Sequence, residues 1–459
     1  MSTNPAPDAV VEVIEPATEA VMARVPEADA EAAHAAVARA KAALPAWRAM
    51  APRDRSLLLA RIGAGVEAEL EELSRLEARN AGKPIGDARG EIGIVADSFR
   101  YFAGAPERLL GQTIPVPGGV DMTFREPLGV VGLITPWNFP LAIASWKIAP
   151  ALAAGNVVVL KPAVLTPLTA IELERIAREA GLPEGVFTVL VGSGRVVGEA
   201  LVTHPDVAKI AFTGSTAVGR RIGALAAESI TRVTLELGGK SANVIFADAD
   251  LEAAAAAAPG AVFGNAGQDC CARARILVQR SAVDRFLELF AAHTEALRVG
   301  DPLDEATQMG PLISAAQLTD VGSFLGEAPI AAQGSTPDGP GYWFPPTVLA
   351  PVAPDARAAR DEIFGPIACV IPFEDEAEAI AMANDTIYGL SGSIWTRDGA
   401  RAMRVARAID SGTLSINSNT SVRVTTPFGG FKQSGIGREL GPDALDHYTE
   451  LKNVFMATT

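Results

Sequence analysis

The chain has 459 residues, of which 49% are hydrophobic and 20% charged, and its formal net charge is -15 at pH 7. This composition is typical of a soluble globular protein with a sizeable core, and at roughly 150 residues per domain the length predicts two to four domains. The negative charge argues against nucleic acid and against an anionic membrane surface as partners, because both require a basic face.

The cysteines and the N-terminal segment bear on the compartment. The sequence has three cysteines, too few for a disulfide framework, and two of them, Cys270 and Cys271, are adjacent. Cys369 lies in an apolar run and is typical of a buried small side chain. The first ten residues contain no basic region followed by an apolar run, so no signal peptide is predicted. No apolar run approaches the ~18 residues of a membrane span. We therefore expect a cytoplasmic protein without membrane association.

Helices are predicted for residues 27–110 and a hairpin for residues 111–128. Apolar residues recur at helical spacing in Ala28–Ala43 and Arg55–Arg79. Pro45 and Pro52 are expected to punctuate these helices. Between residues 111 and 128, turn residues separate two short β-type runs, and the prolines among them favour an edge or a projecting arm.

Strands and helices alternate from residue 129 onward. The first block, 129–213, contains a helical stretch at Leu168–Ala180 and the apolar strands Gly129–Ile134, Val157–Lys161, Phe187–Val191 and Ile210–Thr213. The second block, about 241–440, contains the strands Asn243–Phe246, Arg275–Gln279, Ile367–Ile371 and Thr413–Asn417, and the tail Tyr448–Met456 reads as one more strand. This alternation predicts parallel sheets covered by helices.

A glycine-rich segment near the middle of the chain ends in the cysteine pair. Gly267 and Gln268 allow an exposed loop that enters a helix, and a helix N-terminus would lower the pKa of Cys270. The resulting thiolate would be a nucleophile. On local grounds alone, however, a cysteine in a glycine-rich loop is more often inert.

Two further polar residues stand in unusual surroundings. Glu236 lies between two leucines and before paired glycines. It is either a surface salt-bridge partner or a general base with a raised pKa in an apolar slot. Asn138 lies in a loop fixed by two prolines and is either a plain turn residue or a rigid donor to an oxyanion.

Several segments are typical of ligand-binding loops. Lys161 ends a predicted strand, where open α/β sheets bind ligands. Residues 212–219 follow a strand and open a helix, a geometry that suits pyrophosphate, although they match neither the GxGxxG nor the P-loop pattern. Glu362 precedes a Gly-Pro turn, and residues 427–435 are glycine-rich and aromatic. The four histidines lack metal-ligand spacing, so no metal site is predicted.

In their order along the chain, these segments resemble the aldehyde dehydrogenase superfamily over about residues 10–456. The resemblance rests on Pro136–Pro140, Lys161–Ala163, Phe212–Thr216, Leu235–Lys240, Gly267–Cys270, Glu362–Pro366 and Pro427–Gly430. It implies an α/β fold with a Rossmann-like parallel-sheet cofactor domain, an α/β catalytic domain and a small β-arm for oligomerisation. The expected boundaries are 1–108 and 129–238 for the cofactor domain, 239–445 for the catalytic domain, and 109–128 and 446–459 for the arm.

The resemblance also implies a reaction. Cys270 would add to an aldehyde carbon, and the Asn138 amide with the Cys270 N–H would form the oxyanion hole. Hydride would leave to a nicotinamide, and Glu236 would activate the water that hydrolyses the resulting thioester. Cys271 would be a bystander. The alternatives are a CoA-acylating semialdehyde dehydrogenase, which typically lacks a base at the position of Glu236, and a non-catalytic member, which should have lost Cys270 or Asn138.

Cofactor residues follow from the same resemblance. Those assigned to NAD are Trp137, Lys161, Gly194, Gly214, Ser215, Gly219, Glu362 and Phe364. Many NAD-preferring relatives carry Glu where this chain has Val164. Without this acid nothing at the position of Val164 would repel the 2′-phosphate of NADP. Arg195 could further favour NADP. We expect NAD, with NADP as the alternative.

The substrate positions implied by the resemblance are Ile94, Phe139, Ile143, Trp146, Val422 and Phe428. This apolar and aromatic lining suits an aliphatic or aromatic aldehyde, and the sequence leans towards γ-aminobutyraldehyde or a related amino aldehyde. Glu91 is a candidate acid at the tunnel mouth, where Arg423 would oppose a cation. A homodimer or homotetramer is expected.

Overall fold

The computed structural model describes residues 9–420 and 422–458 of the chain. Residues 1–8, 421 and 459, which belong to the predicted cofactor domain, catalytic domain and arm, lie outside the described residues. The helices are α1 (Ala30–Ala49), α2 (Pro52–Ala68), α3 (Leu70–Ala81), α4 (Ile85–Ala103), α5 (Pro140–Ala153), α6 (Leu168–Glu179), α7 (Glu199–Val202), α8 (Thr216–Glu228), α9 (Leu251–Phe263), α10 (Val283–Glu295), α11 (Ala315–Gly322), α12 (Arg357–Arg360), α13 (Glu376–Asn384) and α14 (Gly399–Ala408).

The strands form four sheets. They are β1 (Val10–Glu15), β2 (Ala20–Pro26), β3 (Thr113–Val116), β4 (Gly119–Pro127), β5 (Val130–Ile134), β6 (Val157–Lys161), β7 (Phe187–Val189), β8 (Val207–Thr213), β9 (Arg232–Glu236), β10 (Ala242–Ile245), β11 (Arg275–Gln279), β12 (Ile330–Gln333), β13 (Thr347–Leu349), β14 (Ile367–Phe373), β15 (Ser391–Trp395), β16 (Thr413–Ile416), β17 (Gly435–Ile436) and β18 (Thr449–Ala457). The predicted α/β class with parallel sheets is confirmed.

The first large sheet has the strand order β17-β9-β8-β5-β6-β7 and is parallel except for β17. Strands β5 and β6 are buried along their whole length, as expected for parallel strands covered by helices on both faces. Ile134 pairs with Lys161, and Thr213 pairs with Glu236. Candidate site residues therefore stand together at the carboxyl edge of this sheet, where ligands bind in open α/β folds.

The second large sheet has the order β12-β13-β14-β11-β10-β15-β16 and is parallel except for β12. The segments that enter its strands carry the other candidate residues: Cys270 precedes β11, and Glu362 precedes β14. Hydrogen bonds join these segments to the first sheet's loops, since the Gly239 N–H donates to Glu362 Oε1 at 3.0 Å. The amino edge of this sheet thus contacts the carboxyl edge of the other.

The predicted hairpin and tail form a three-stranded antiparallel sheet of order β18-β4-β3. Strand β18 pairs with β4 along its length, from Thr449 opposite Pro127 to Ala457 opposite Gly119. Apolar side chains such as Leu451 and Phe455 are exposed on it. The hairpin is therefore present, while its use in oligomerisation and the domain boundaries stay predictions.

The N-terminal helices differ from the prediction in two places. Helix α1 continues through Pro45 to Ala49, because the buried side chains of Ala40 and Trp47 hold both flanks against the core. The single helix expected over Arg55–Arg79 is two, since the backbone leaves helical geometry at Glu69, with φ -107° and ψ 22°. The β1–β2 hairpin before them was not predicted. No helix in the described ranges is long and apolar enough to cross a membrane.

Candidate active site

Cys270 lies in a turn between α9 and β11, not at the start of a helix. The chain leaves α9 through a short 3-10 segment, Gly264–Gly267, in which Asn265 and Ala266 adopt left-handed backbone angles, with φ of 50° and 55°. The Gly267 Cα stands so close to the Gly365 carbonyl that a Cβ would meet it at 2.2 Å. The expectation that the loop enters a helix is wrong, because the chain passes from the turn at Cys270 directly into β11.

The surroundings of the thiol favour its protonated form. The neighbouring Cys271 thiol, followed by burial, raises the pKa of Cys270 well above its ordinary range. A carboxylate oxygen of Asp269 and the Sγ atoms of Cys270 and Cys271 all lie within 4.8 Å of one another. The predicted lowering of this pKa is wrong in the ligand-free structure, since no helix dipole acts on the sulfur and a like-charged neighbourhood disfavours the thiolate.

Replacing Cys271 by alanine should make Cys270 more reactive at neutral pH. Since Cys271 is the largest cause of the raised pKa, its removal should increase the thiolate fraction at a given pH. We expect the pH profile of alkylation by iodoacetamide to move to lower pH. Peptide mass mapping of Cys270 measures this, with Cys369→Ala, a change at a distant buried thiol, as the control. An unchanged profile in Cys271→Ala would contradict the assignment.

Asn138 is held beside the cysteine loop by hydrogen bonds at both ends. Its side-chain Nδ2 donates to the Gln268 carbonyl at 2.9 Å, and the residue is 3% exposed. Its main-chain carbonyl accepts from Lys83 Nζ at 3.0 Å and from Asn265 Nδ2 at 2.9 Å. The amide is therefore fixed next to the segment that carries Cys270, as an oxyanion donor would need to be.

Lys83 is a buried cation that sequence reasoning missed. It pairs with Glu91, and its Nζ lies 4.6 Å from the centre of the Phe139 ring. Burial raises the pKa of Glu91 to about 8, although the Lys83 charge opposes the rise. Glu91 therefore faces Lys83 in the interior, and the expectation that it offers a free acid at a tunnel mouth is wrong. In the sequence, Lys83 is marked only by its position between Gly82 and Pro84, directly after α3.

Replacing Lys83 by methionine should slow turnover by about tenfold and lower the free energy of unfolding by about 3 kcal/mol, because it frees the Asn138 carbonyl and leaves Glu91 buried without its partner. The double change Lys83→Met with Glu91→Gln replaces the carboxyl group that has lost its partner by an amide and should restore part of the stability. Denaturant unfolding and steady-state kinetics measure the two effects. Recovery of turnover together with stability would show that Lys83 does not position Asn138.

Glu236 ends β9 in a fully enclosed position. It is 3% exposed, and neither carboxylate oxygen has a hydrogen-bond partner within the described part of the chain. Burial raises its pKa well above the ordinary value, and the nearby Glu439 adds to the rise, while Lys147 and Arg438 oppose it. Glu439 itself pairs with the buried Lys147. The surface salt-bridge interpretation of Glu236 is therefore wrong, and the carboxyl group has the properties of a general base in an apolar slot.

The glycine-rich loop predicted at residues 427–435 packs against Glu236. A Cβ on Gly429 would lie 2.8 Å from Glu236 Oε1, at a backbone φ of 154°. Strand β17 then pairs Gly435 with Glu236 itself. The loop needs glycine because its backbone lies against the carboxylate.

A long groove lies at the carboxyl edge of the first sheet. Its cavity of about 900 Å³ is lined by residues that include Trp137, Lys161, Val164, Gly194, Arg195, Gly214 and Ser215. A second cavity of about 260 Å³ continues from it, lined among others by Trp137, Asn138, Gly214, Cys270, Glu362 and Phe364. The groove therefore runs from the start of α8 to the cysteine, and seven of the eight predicted cofactor residues line it.

The groove has the polar groups that a dinucleotide requires. Ser215 is the N-cap of α8 and the Gly219 N–H bonds to its carbonyl, so the first turn of this helix can receive a phosphate. The buried Thr213 Oγ1 has no hydrogen-bond partner among the described residues. Burial lowers the pKa of Lys161 to about 8 and raises that of Glu362 to about 7. The residues present thus fit a nucleotide with its phosphates at α8.

An apolar cluster lies on the other side of the thiol. Phe139, Ile143, Trp146, Val422 and Phe428 pack with Cys270 and Cys271. The Trp146 and Phe428 rings meet edge to face, with centroids 5.5 Å apart. The structure thus brings together five of the six predicted substrate residues. Ile94, half-buried on α4, lies outside this cluster.

Comparison with known proteins agrees with this geometry. The family model described as Aldehyde dehydrogenase family matches residues 3–454. Betaine aldehyde dehydrogenase 1 of Rhizobium meliloti is 46% identical over 97% of this chain and 94% of its own length. An aldehyde dehydrogenase of Emericella nidulans is 42% identical over 96% of this chain and 91% of its own. The crystal structure of betaine aldehyde dehydrogenase from Staphylococcus aureus in complex with NAD+ superposes with a TM-score of 0.96 at 37% identity, covering 98% of this chain and 92% of that one. The chain belongs to the aldehyde dehydrogenase family.

Proposed function

We propose that this protein oxidises an aldehyde to a free carboxylic acid through a covalent bond to Cys270. The observation that carries the proposal is the position of the Cys270 thiol. It lies between a nucleotide-sized groove and an aromatic cluster, with a fixed amide and a buried carboxyl group nearby. A protein that bound an aldehyde without oxidising it would not need these groups together.

In the first step, the Cys270 thiolate adds to the aldehyde carbon and forms a thiohemiacetal. The Asn138 Nδ2 keeps one N–H on the Gln268 carbonyl and donates its other N–H to the new oxyanion, whose charge the Cys270 N–H also stabilises. Because the pKa of Cys270 is raised, the thiol gives up its proton to solvent water before the sulfur adds to the aldehyde carbon. Bound NAD supplies the acceptor for the hydride that leaves the thiohemiacetal.

In the second step, Glu236 removes a proton from the water that attacks the thioester, and the carboxylic acid leaves Cys270. A carboxyl group is an effective base near neutral pH only when its pKa is raised, as burial does here. The presence of this base favours hydrolysis by water over transfer to CoA. The non-catalytic alternative is disfavoured because Cys270, Asn138 and Glu236 are all in place.

NAD is the proposed cofactor, supported by the fit of the groove and by the NAD+ complex of the S. aureus relative. Lys161 and Ser215 would hold the adenosine ribose and the pyrophosphate, and Glu362 with Phe364 would hold the nicotinamide ribose. NADP is a second candidate because Val164 lines the groove in place of an acid, with Arg195 nearby. Titration calorimetry with each nucleotide tests this preference.

The proposed substrate is an amino or aliphatic aldehyde, with γ-aminobutyraldehyde among the candidates. Aromatic faces such as those of Trp146 and Phe428 can bind either an alkyl chain or an ammonium group. Names of relatives such as the R. meliloti protein agree with an ammonium-bearing aldehyde. We further propose a cytoplasmic homodimer or homotetramer, joined through the β3–β4–β18 sheet with its exposed apolar side chains. Light scattering tests the assembly, which a strictly monomeric species would contradict.

A further inference from the structure

We propose that Asp269 is the specificity residue that selects aldehydes carrying a positive charge close to the aldehyde carbon. The inference deepens the proposed function and rests on it for the role of Cys270. Its basis is the placement of one carboxylate: an oxygen of Asp269 and the Sγ atoms of Cys270 and Cys271 lie within 4.8 Å of one another.

The Asp269 carboxylate has a structural partner but forms no ion pair within the described residues, although the charges of Arg273 and Lys83 act on it. Its Oδ1 accepts the Cys271 N–H at 2.8 Å, an interaction that an asparagine at this position would also make. Burial is the largest influence on its pKa and raises it. The negative charge is therefore not needed to shape the turn, and it costs free energy unless a cation stands beside it.

The carboxylate also faces a space that a substrate can enter. A cavity of about 610 Å³, which we call the Asp269 cavity, is lined among others by Asp269, Cys271, Trp395, Asn419 and Val422. Cys271 and Val422 also pack in the aromatic cluster around Cys270. The Asp269 cavity thus shares two of its lining residues with the proposed substrate side of the thiol.

The number of bonds between the Cys270 sulfur and the charged nitrogen of the bound substrate indicates which aldehydes Asp269 can select. When an aldehyde carbon is bound to Cys270 Sγ, an ammonium nitrogen on the neighbouring carbon is three bonds from the sulfur. That nitrogen falls within reach of a carboxylate less than 4.8 Å from the same sulfur. A trimethylammonium acetaldehyde would place its charge there, where attraction at short range is strong.

Arg273 would favour a different class of substrate, an aldehyde that carries a carboxylate. It lines the same cavity, and its charge lowers the pKa of Asp269. However, its guanidinium donates to the Cys271 carbonyl at 2.7 Å and to Ser393 Oγ at 3.1 Å. These bonds hold Nε and Nη1, while Nη2 is buried without a hydrogen-bond partner among the described residues. The Asp269 carboxylate lies within 4.8 Å of the reacting sulfur, and an aldehyde panel that includes both charge classes decides between the two residues.

The test compares two aldehydes of the same shape. Betaine aldehyde carries a trimethylammonium group, and 3,3-dimethylbutanal carries a neutral tert-butyl group in its place. Wild-type enzyme should show the higher kcat/KM with betaine aldehyde, and Asp269→Asn should lower the ratio of the two values by about tenfold. The kcat/KM for 3,3-dimethylbutanal reports any effect of the substitution on Cys270 itself, because the Asp269 charge also raises the pKa of that thiol, and the ratio of the two values cancels this effect. An unchanged ratio in Asp269→Asn, or a wild-type preference for 3,3-dimethylbutanal or succinic semialdehyde, would overturn the proposal.

A binding measurement keeps the proposal testable without turnover. Calorimetry should find choline bound more tightly than 3,3-dimethylbutan-1-ol by wild-type protein, and Asp269→Asn should lose that preference. Equal loss of binding for both alcohols would show a structural role and overturn the charge assignment. If neither aldehyde is oxidised but choline still binds more tightly than 3,3-dimethylbutan-1-ol, the proposed function is contradicted while the selection of a cation by Asp269 is supported.

Discussion

The Cys270→Ala variant is expected to lose aldehyde oxidation by a factor on the order of 10⁴ or more, whatever the aldehyde. Asn138 and the aromatic cluster would still bind the substrate, but no sulfur would hold the carbon for hydride transfer. NAD binding should be retained, because the groove is formed mainly by loops and helices of the first sheet. Absorbance of the reduced nucleotide and calorimetry with NAD measure the two properties.

The neighbouring cysteine provides the matched control. Cys271→Ala changes the same atom one residue away, at a buried position that packs in the apolar cluster. It should keep the activity, since Cys271 forms no bond to the substrate in the proposed reaction and its removal should lower the raised pKa of Cys270. Turnover that persists in Cys270→Ala and disappears in Cys271→Ala would exchange the roles of the two residues and refute the mechanism.

The Glu236→Gln variant should stop after one turnover. Glutamine keeps the shape of the side chain but cannot accept a proton from water, so hydrolysis of the thioester should slow by ~10²–10⁴-fold. Mixing with NAD and an aldehyde should give a burst of reduced nucleotide equal to the number of active sites. Intact-mass spectrometry should then show an acyl group that peptide mapping places on Cys270. Normal steady turnover without an adduct would remove Glu236 from the mechanism.

The pH dependence of deacylation follows from the same carboxyl group. Burial raises its pKa, so the base form is scarce at low pH and its fraction grows as the pH rises through the raised value. Wild-type deacylation should therefore increase with pH well above the ordinary range of a glutamate. Glu439→Gln, which removes the second-largest cause of the rise, should move that increase to lower pH. An increase that already ends near the ordinary glutamate pKa would contradict the buried-base assignment.

The position of Lys161 was predictable, because a run of apolar residues identifies a buried parallel strand and the residue at its carboxyl end. Lys161 ends the predicted apolar strand Val157–Lys161, whereas Glu236 ends β9, which was not predicted because Arg232 and Thr234 interrupt its apolar residues. Parallel strands place their carboxyl ends at one edge, so the first sheet brings such residues together without further information. Cys270 and Glu362 reach that edge from the second sheet, and only the resemblance to a known family linked them in advance.

The surroundings of the site were not predictable from local pattern. Lys83 contacts Asn138 across 55 residues of sequence, and the pairing of Lys147 with Glu439 spans 292. Nothing in the neighbouring sequence indicates such partners. The pKa of Cys270 was predicted with the wrong sign because the turn that contains it leads into β11 and not into a helix, and because Cys271 and burial raise the pKa. Burial, the adjacent Cys271 thiol and charges distant in sequence therefore set the protonation of the site.

The most direct test of the account is the product analysis of wild-type enzyme mixed with NAD and an aldehyde panel that includes betaine aldehyde, with and without CoA. We predict that carboxylic acid and reduced nucleotide form in equal amounts and that CoA changes neither the rate nor the product. Reduction that requires CoA and yields an acyl-CoA, or no reduction of NAD or NADP with any aldehyde, would contradict the proposal that Cys270 and Glu236 oxidise an aldehyde to a free acid.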